Sequence, residues 1–174
     1  MAVLKVRKYG DPVLRRRAAP VGEITPGIHS IIADMIETMY DEGGIGLAAP
    51  QVGVGLRLIV VGDEAGRGAE PLIDPVITAG GGEVTAEEGC LSIPGVFAPV
   101  TRSAWVRVEA RDADGAPRAI EAQGLRARVF QHELDHLDGI LFIDRLDPVT
   151  RDCIKRRIKK EGLREDAPHH AFAL

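Results

Sequence analysis

The stretch His132-Glu133-Leu134-Asp135-His136 decides how this chain can fold, because its chemistry requires a helix. On an α-helix, residues four positions apart lie on the same face, so His132 and His136 can reach a single metal ion. Glu133 then lies near that ion, where its carboxylate can take up a proton. An H-E-x-x-H helix is typical of sites that activate water on a metal, so the stretch predicts a hydrolase.

A third protein ligand is needed, because catalytic zinc-type sites usually combine three ligands with one position open to water. The metzincin pattern requires a histidine where this chain has Phe142. Glu161 and Glu165 could serve as in thermolysin-like sites, but both lie in a strongly charged tail. Cys90 is the better candidate, since a thiolate is a strong ligand for borderline and soft divalent metals. The ligand set that we infer is Cys90, His132 and His136, with water as the fourth.

Residues 44–51 read G-I-G-L-A-A-P-Q and provide a third chemical feature. Their small side chains would allow a substrate backbone to approach closely. The side-chain amide of Gln51 can donate an N–H to a carbonyl oxygen that is gaining negative charge. We therefore assign this segment to the same site as the predicted metal ligands.

Together these three segments resemble the peptide deformylase family. That family carries G-x-G-x-A-A-x-Q, E-G-C-x-S and Q-H-E-x-D-H-x-x-G in this order, and residues 44–51, 88–92 and 131–139 match every fixed position. A lone H-E-x-x-H arises often by chance, whereas three ordered motifs spread over most of the chain do not. The resemblance implies a metal-dependent enzyme that hydrolyses the N-formyl group from the formylmethionine of nascent polypeptides and releases formate.

Two other functions stay open at the level of sequence: an H-E-x-x-H metallopeptidase, and a deacylase of another N-acyl peptide. The identity of the third ligand distinguishes a deformylase from a peptidase. Cys90 favours a deformylase, whereas a downstream carboxylate or histidine would favour a peptidase. Only a comparison of substrates separates the second alternative.

The resemblance also implies catalytic roles and a metal. Glu133 would take a proton from water and later give it to the leaving amine. The side-chain amide of Gln51 and the backbone N–H of Leu91 would stabilise the oxyanion together with the metal. Cysteine with two histidines suits Zn²⁺ and also accepts Fe²⁺, Co²⁺ or Ni²⁺. The resemblance implies Fe²⁺, which deformylases commonly use, and this is the ion we expect here, with Zn²⁺ as a frequent substitute.

A methionine pocket should be apolar, and the resemblance places Ile45, Leu125 and Val129 at its wall. Arg128 lies near the same region, where some relatives carry an apolar residue. Glycines at two further positions would let the substrate backbone lie alongside the protein like an added strand. The predicted substrate-binding residues are Gly44, Ile45, Gly46, Gly89, Leu125 and Val129.

Length and composition bound the other properties. With 174 residues, the chain is expected to form one catalytic domain over residues 1–174. A net charge of −4 argues against direct DNA binding through bulk electrostatics. No stretch resembles a membrane span or a cleavable leader. The two distant cysteines do not suggest disulfides, and a thiolate ligand needs reducing conditions, so we expect a cytoplasmic protein.

The order of predicted elements favours an α+β fold, with largely antiparallel sheets packed around the H-E-x-x-H helix. One helix begins at Thr25-Pro26, with threonine as the cap and proline in the first turn. The H-E-x-x-H helix is predicted over residues 125–137 and is ended by Gly139. A C-terminal basic helix starts at Asp147-Pro148 and is assigned to residues 148–164, with Gly162 as its expected end. A loose tail is expected over residues 165–174.

Strands are predicted between these helices. Residues 56–61 read as a buried strand, and residues 72–78 as a second strand with an edge position or a break at Pro75. Residues 80–82, all glycine, predict a turn. Residues 105–110 and 119–122 predict a hairpin, with its turn at Asp114-Gly115.

The C-terminal helix is strongly basic. On residues alone, such a surface is typical of a solvated helix face. The resemblance adds a partner, because bacterial deformylases with a basic C-terminal helix use it to dock near the ribosomal exit tunnel. The basic residues concerned are Arg151, Lys155, Arg156, Arg157, Lys159, Lys160 and Arg164.

Overall fold

The computed structural model describes residues 2–63, 65 and 67–165. These residues form three α-helices and seven β-strands, which confirms the expected α+β class. None of the described helices is both long and apolar enough to cross a membrane. In chain order the elements are α1 (Pro26–Asp41), β1 (Gly46–Ala48), β2 (Leu58–Gly62), β3 (Ala69–Gly81), β4 (Val84–Cys90), β5 (Ile93–Arg102), β6 (Trp105–Arg111), β7 (Pro117–Gln123), α2 (Gly124–Leu137) and α3 (Pro148–Glu161).

The strands form two antiparallel sheets. Five of them pair in the order β1-β2-β3-β6-β7, and β4 and β5 form a separate two-stranded hairpin. Among the described residues, β1 pairs with β2 alone, so it lies at the edge of the larger sheet. An edge strand keeps backbone groups available for pairing with another extended chain.

The larger sheet is covered on both faces, and β2 shows how. Leu58 and Val60 pack in a cluster with α1, whereas Ile59 and Val61 pack in a cluster with α2. Successive side chains of a strand point to opposite faces, so a strand covered on both faces reads as a continuous apolar run. A third cluster joins the hairpin of β4 and β5 to α3, which contributes the buried Ile154.

α2 follows β7 without a loop and crosses the sheet beside β1. Most of its residues are buried, so the helix is central, as predicted. Gly139 follows its end with φ +75°, and a Cβ there would lie 2.6 Å from the carbonyl oxygen of Arg15. Both the positive φ and this close approach require glycine.

The middle of the chain differs from prediction in three places. β3 is much longer than the predicted strand, and it lies in the centre of the sheet, so the edge position at Pro75 is wrong. The predicted break is present as a register shift between Ile73 and Val76. Pro75 has no backbone N–H, and the shift accommodates it where no ladder hydrogen bond is required. Gly80 and Gly81 belong to β3, and only Gly82, with φ +69°, lies in the turn.

α3 begins as predicted, because Oδ1 of Asp147 accepts a hydrogen bond from the backbone N–H of Thr150 at 2.9 Å. It ends at Glu161, so Gly162, with φ +76°, is its end as predicted, and residues 162–164 of the predicted basic segment follow the helix. Of the predicted tail, only residue 165 is described, and residues 166–174 lie outside the described residues.

Candidate active site and metal centre

The three inferred metal ligands meet in the interior. His132 and His136 lie one turn apart on α2, and their Nε2 atoms are 3.3 Å apart. The Sγ atom of Cys90 lies 3.4 Å from Nε2 of His136. The three potential ligand atoms all lie within 4.8 Å of one another, and all three side chains are buried. One sulfur and two nitrogens converge on one point, so this donor set fits a single divalent metal ion.

The hairpin of β4 and β5 brings Cys90 to α2. Cys90 ends β4 and pairs with Ile93, so Leu91 and Ser92 form the turn. The register shifts between Glu88 and Cys90, and such a bulge re-aims a side chain next to an active site. The sequence identified the motif, but it did not predict the hairpin that positions it.

Burial sets the protonation of the ligands. It lowers the pKa of His132, although the bond to Glu88 opposes the shift, and it lowers the pKa of His136 well below its ordinary value. Both imidazoles are therefore neutral at physiological pH and can act as ligands. Burial also raises the pKa of the Cys90 thiol to about 12, so this thiol must lose a proton when a metal binds.

A buried carboxylate orients His132. The Nδ1–H of His132 donates to Oε1 of Glu88 at 3.0 Å, which leaves Nε2 free for a metal. Arg102 donates to both oxygens of Glu88, at 2.7 and 2.9 Å, and Arg128 donates to Oε2 at 2.5 Å. Burial raises the pKa of Glu88, but the bonds from His132 and Arg102 outweigh it and lower that pKa to about 2. Glu88 is thus a charged acceptor that fixes the imidazole tautomer.

The network continues beyond Glu88. Arg102 also donates to Oδ2 of Asp135 at 2.8 Å, and Arg145 donates to both oxygens of Asp135, at 3.1 and 2.7 Å. Sequence reasoning missed Glu88 and all three arginines as partners of the site. Glu88 stood within a matched motif and Asp135 between the histidines, but no spacing links them to arginines on other elements.

Arg128 lies close to the predicted methionine pocket in sequence, yet its side chain points elsewhere. Besides Glu88, it donates to the carbonyl oxygens of Val100 and Val84, at 2.9 and 2.7 Å. The guanidinium therefore fastens α2 to the hairpin of β4 and β5. The Arg128 side chain is almost completely buried, and three hydrogen-bond acceptors compensate its positive charge there.

Glu133 is fully buried, and within the described part of the chain neither of its carboxylate oxygens has a hydrogen-bond partner. Burial raises its pKa well above the ordinary value. Gly46 of β1 makes room for it, since a Cβ there would lie 2.9 Å from Oε1 of Glu133 and 2.8 Å from Cγ1 of Val129. An unpartnered carboxylate with a raised pKa beside the metal ligands is suited to accept a proton.

The side chain of Gln51 is held in one orientation. Its Oε1 accepts a hydrogen bond from the backbone N–H of Ala48 at 3.0 Å. Its Nε2 therefore points toward the metal ligands, 3.1 Å from Oγ of Ser92 and 3.6 Å from Sγ of Cys90. The structure thus brings the predicted N–H donor next to the predicted thiolate.

The other predicted residues of the substrate side lie around this centre. Leu91 follows Cys90 in the hairpin turn, and its side chain fills the space where Gly44 lacks a Cβ, 2.8 Å from the position that atom would take. Gly89 lies one residue before Cys90, and a Cβ there would overlap the ring of Phe97. Packing against Phe97 is therefore a reason for glycine at this position that is independent of substrate.

An open groove of about 380 Å³ lies where α2 meets β2, and its lining residue Val129 packs against Gly46, as Glu133 does. Ile45, Leu125 and Val129 all line it, as the pocket prediction requires. Val129 is buried at the base and Leu125 is 49% exposed at the rim. The remaining lining residues are Val61, Gly62, Asp63, Gln123 and Arg126.

Comparisons with known proteins find relatives that cover most of this chain. The family model for polypeptide deformylase matches residues 3–152. A peptide deformylase from Desulfitobacterium hafniense is 48% identical over 151 residues, which cover 87% of this chain and 99% of that relative. Crystal structures of peptide deformylases from Legionella pneumophila and Thermus thermophilus are 42% and 46% identical, and each superposes with a TM-score of 0.86. Each comparison covers 91% of this chain and 95% of the solved chain.

Proposed function

Since the chain belongs to the peptide deformylase family, whose members are hydrolases that remove the N-formyl group from nascent polypeptides, we propose that Cys90, His132 and His136 hold the metal ion of this reaction. The observation that carries the proposal is the convergence of these three ligands beside the unpartnered carboxylate of Glu133. The products are formate and a polypeptide with a free amino terminus.

Each step of the hydrolysis is assigned to a residue of this chain. A divalent metal held by the three ligands would lower the pKa of a water ligand far below that of bulk water, to roughly 7. Glu133 accepts a proton from the attacking water. Because burial raises the pKa of Glu133, the carboxyl group can hold this proton for the later step. The water oxygen adds to the formyl carbon, and Glu133 then donates the proton to the departing amine as the C–N bond breaks.

The negative charge of the tetrahedral oxygen requires hydrogen-bond donors. Nε2 of Gln51 is one donor, because the bond from Ala48 to its Oε1 fixes the amide orientation. The backbone N–H of Leu91 is the second. Removing one such donor typically costs about 3 kcal/mol in the barrier.

The substrate occupies the groove beside β1. The methionine side chain lies against Ile45, Leu125 and Val129, and the substrate backbone extends along the free edge of β1 near Gly44 and Gly46. Gly89 approaches the same backbone from the hairpin side.

Fe²⁺ is the proposed native metal, with Zn²⁺, Ni²⁺ or Co²⁺ as substitutes. One sulfur and two imidazole nitrogens accept all four ions. Elemental analysis of protein purified without oxygen tests this choice: iron at about one ion per chain is the expected result. A protein that contains zinc under the same conditions and gains no activity with Fe²⁺ would contradict it.

Formate release from a short formyl-methionyl peptide tests the function. We expect release by the purified enzyme, loss of activity after chelation, and recovery on adding back divalent metal. The same peptide carrying an N-acetyl group is the matched control and should react far more slowly. Hydrolysis of internal peptide bonds, or equal rates on both acyl groups, would reject the assignment of the site to deformylation.

We also propose that the basic surface of α3 docks on the ribosome, which would place the enzyme next to its substrate in the cytoplasm. Arg156, Arg157, Lys159 and Lys160 are all exposed. A basic surface attracts ribosomal RNA, and this attraction weakens steeply with salt. All the predicted catalytic residues lie before α3, so we propose that residues 1–174 act as one catalytic domain with α3 as its docking element.

Charge reversal tests the docking better than truncation, because Ile154 of α3 is buried in the core. The variant Arg156→Glu with Lys160→Glu should sediment poorly with ribosomes and keep its activity on a free peptide. Arg16→Glu with Arg17→Glu makes the same charge change at another exposed site and is the control. Equal ribosome binding by both double variants would rule out docking through α3.

A further inference from the structure

The N-terminal segment of residues 6–9 lies across both proposed sources of oxyanion donors. The backbone N–H of Arg7 donates to the carbonyl oxygen of Gln51 at 2.6 Å. The backbone N–H of Tyr9 donates to the carbonyl oxygen of Ser92 at 2.8 Å. Between them, Nζ of Lys8 donates to the carbonyl oxygen of Leu91 at 3.3 Å. Three consecutive residues thus bond to Gln51 on one side and to the turn after Cys90 on the other.

This segment is itself fixed at both ends. Before it, the backbone N–H of Leu4 donates to Oγ1 of Thr38 on α1 at 2.8 Å. After it, Leu14 of the short 3-10 helix Pro12–Arg15 is buried in the cluster that contains Cys90. A segment anchored on both sides can constrain the groups to which it bonds, whereas a free terminus could not.

The segment also joins two separate parts of the core. Val6 is buried in the cluster that contains Leu91 and Val52, and Val52 directly follows Gln51 in the chain. Tyr9 packs against the cluster that contains Cys90 and Ile93. Gln51 lies in the short 3-10 helix after β1 and Leu91 in the turn between β4 and β5, so their relative position depends on contacts between distant parts of the chain.

We propose that residues 6–9 are a positioning element that sets the distance between the two oxyanion donors, with Lys8 as its decisive side chain. This inference rests on the function proposed above. Lys8 acts through Leu91 and does not contact the substrate. Its ammonium is part-buried and holds the turn by a charge-assisted hydrogen bond.

The consequence is specific to the transition state. The oxyanion forms only during reaction, so a displaced donor slows turnover and leaves ground-state binding nearly unchanged. Small displacements of catalytic groups have large effects on rate. The metal ligands Cys90, His132 and His136 do not bond to this segment through their side chains, so metal content should not change.

Three variants test the inference. Lys8→Met keeps the aliphatic stem and removes the donor, and Lys8→Arg restores a donor. Lys5→Met is the control at an exposed lysine just before the segment. For each, kcat and KM on a formyl-methionyl peptide are measured together with metal content and the thermal midpoint. We expect Lys8→Met to lower kcat about 10-fold with KM changed less than about twofold, and Lys8→Arg to recover most of the loss.

The inference is overturned if Lys8→Met matches Lys5→Met in kcat, if Lys8→Arg is as slow as Lys8→Met, or if the loss follows a loss of metal or of folded protein. Failure of the proposed function looks different. In that case the unmodified enzyme and Lys5→Met release no formate from the peptide, and the inference about Lys8 falls with the function.

Discussion

Glu88 accepts a hydrogen bond from Nδ1 of His132 at 3.0 Å, and this bond ties the proposed metal centre to a buried network of arginines. Arg102 and Arg128 hold Glu88 in place from two different elements. A neutral histidine that donates one N–H to a carboxylate presents the other nitrogen as a stronger ligand. Metal binding and the packing of α2 against the hairpin of β4 and β5 therefore depend on the same carboxylate.

Replacing Glu88 by glutamine should weaken metal binding about 10- to 100-fold, because the amide cannot fix the imidazole as strongly. Stability should also fall by about 3–5 kcal/mol, since Arg102 and Arg128 lose their shared counter-ion in the interior. Competition with a chelator measures the first effect and denaturant unfolding the second. Asp138→Asn is the control, because Asp138 pairs with Arg57 and its side chain is 43% exposed. Unchanged metal affinity in Glu88→Gln would contradict the orienting role.

Replacing Cys90 by serine should empty the metal site, because an alcohol remains protonated where a thiolate is needed. We expect metal content and formate release to fall together. Cys153→Ser is the matched control, since Cys153 is exposed on α3. Elemental analysis of the two variants decides the point: a Cys90→Ser protein with full metal content would remove Cys90 from the ligand set.

Metal binding should release the proton of the Cys90 thiol, whose pKa burial raises to about 12. The imidazoles release none, because burial lowers their pKa values and they are already neutral. A falling pH favours the protonated thiol, so the apparent association constant should drop about tenfold for each unit from about pH 7 to about pH 6. Calorimetry in buffers with different ionisation enthalpies should give about one proton per metal ion. An affinity independent of pH over this range would show that no ligand proton is displaced.

Replacing Gln51 by methionine keeps the volume and removes the N–H donor. We expect kcat to fall about 10²- to 10³-fold, with metal content unchanged. Ser92→Ala is an informative comparison, because it removes only the neighbour of the Gln51 amide and should have a much smaller effect. If Gln51→Met turned over at the normal rate, the oxyanion would have to be stabilised by other groups.

The sequence predicts most of the helical structure correctly for local reasons. Thr25, Asp147 and Gly139 are caps whose effect acts within one turn, and each stands at or next to a helix end in the structure. The ligand set is predictable for a related reason. Two histidines one turn apart are fixed by helix geometry alone, and the deformylase motifs supply the cysteine.

Predictions that depend on long-range pairing succeed less well. A central strand tolerates Pro75 because the ladder is interrupted by a bulge there, so the missing N–H leaves no hydrogen bond unmade. No local sequence pattern predicts such a bulge. The hairpin that aims Cys90 and the ion pairs of Glu88 with Arg102 and Arg128 join distant elements. In sequence these charged residues read as surface groups, since arginine is almost never fully buried unless it is paired.

The central claim is that Glu133 transfers the proton at a metal held by Cys90, His132 and His136. The most direct measurement is formate release by Glu133→Gln, with metal content determined on the same sample. We predict about one metal ion per chain, as in the unmodified enzyme, and a rate lower by at least about 10²-fold. A Glu133→Gln protein that holds its metal and releases formate at the normal rate would contradict the account.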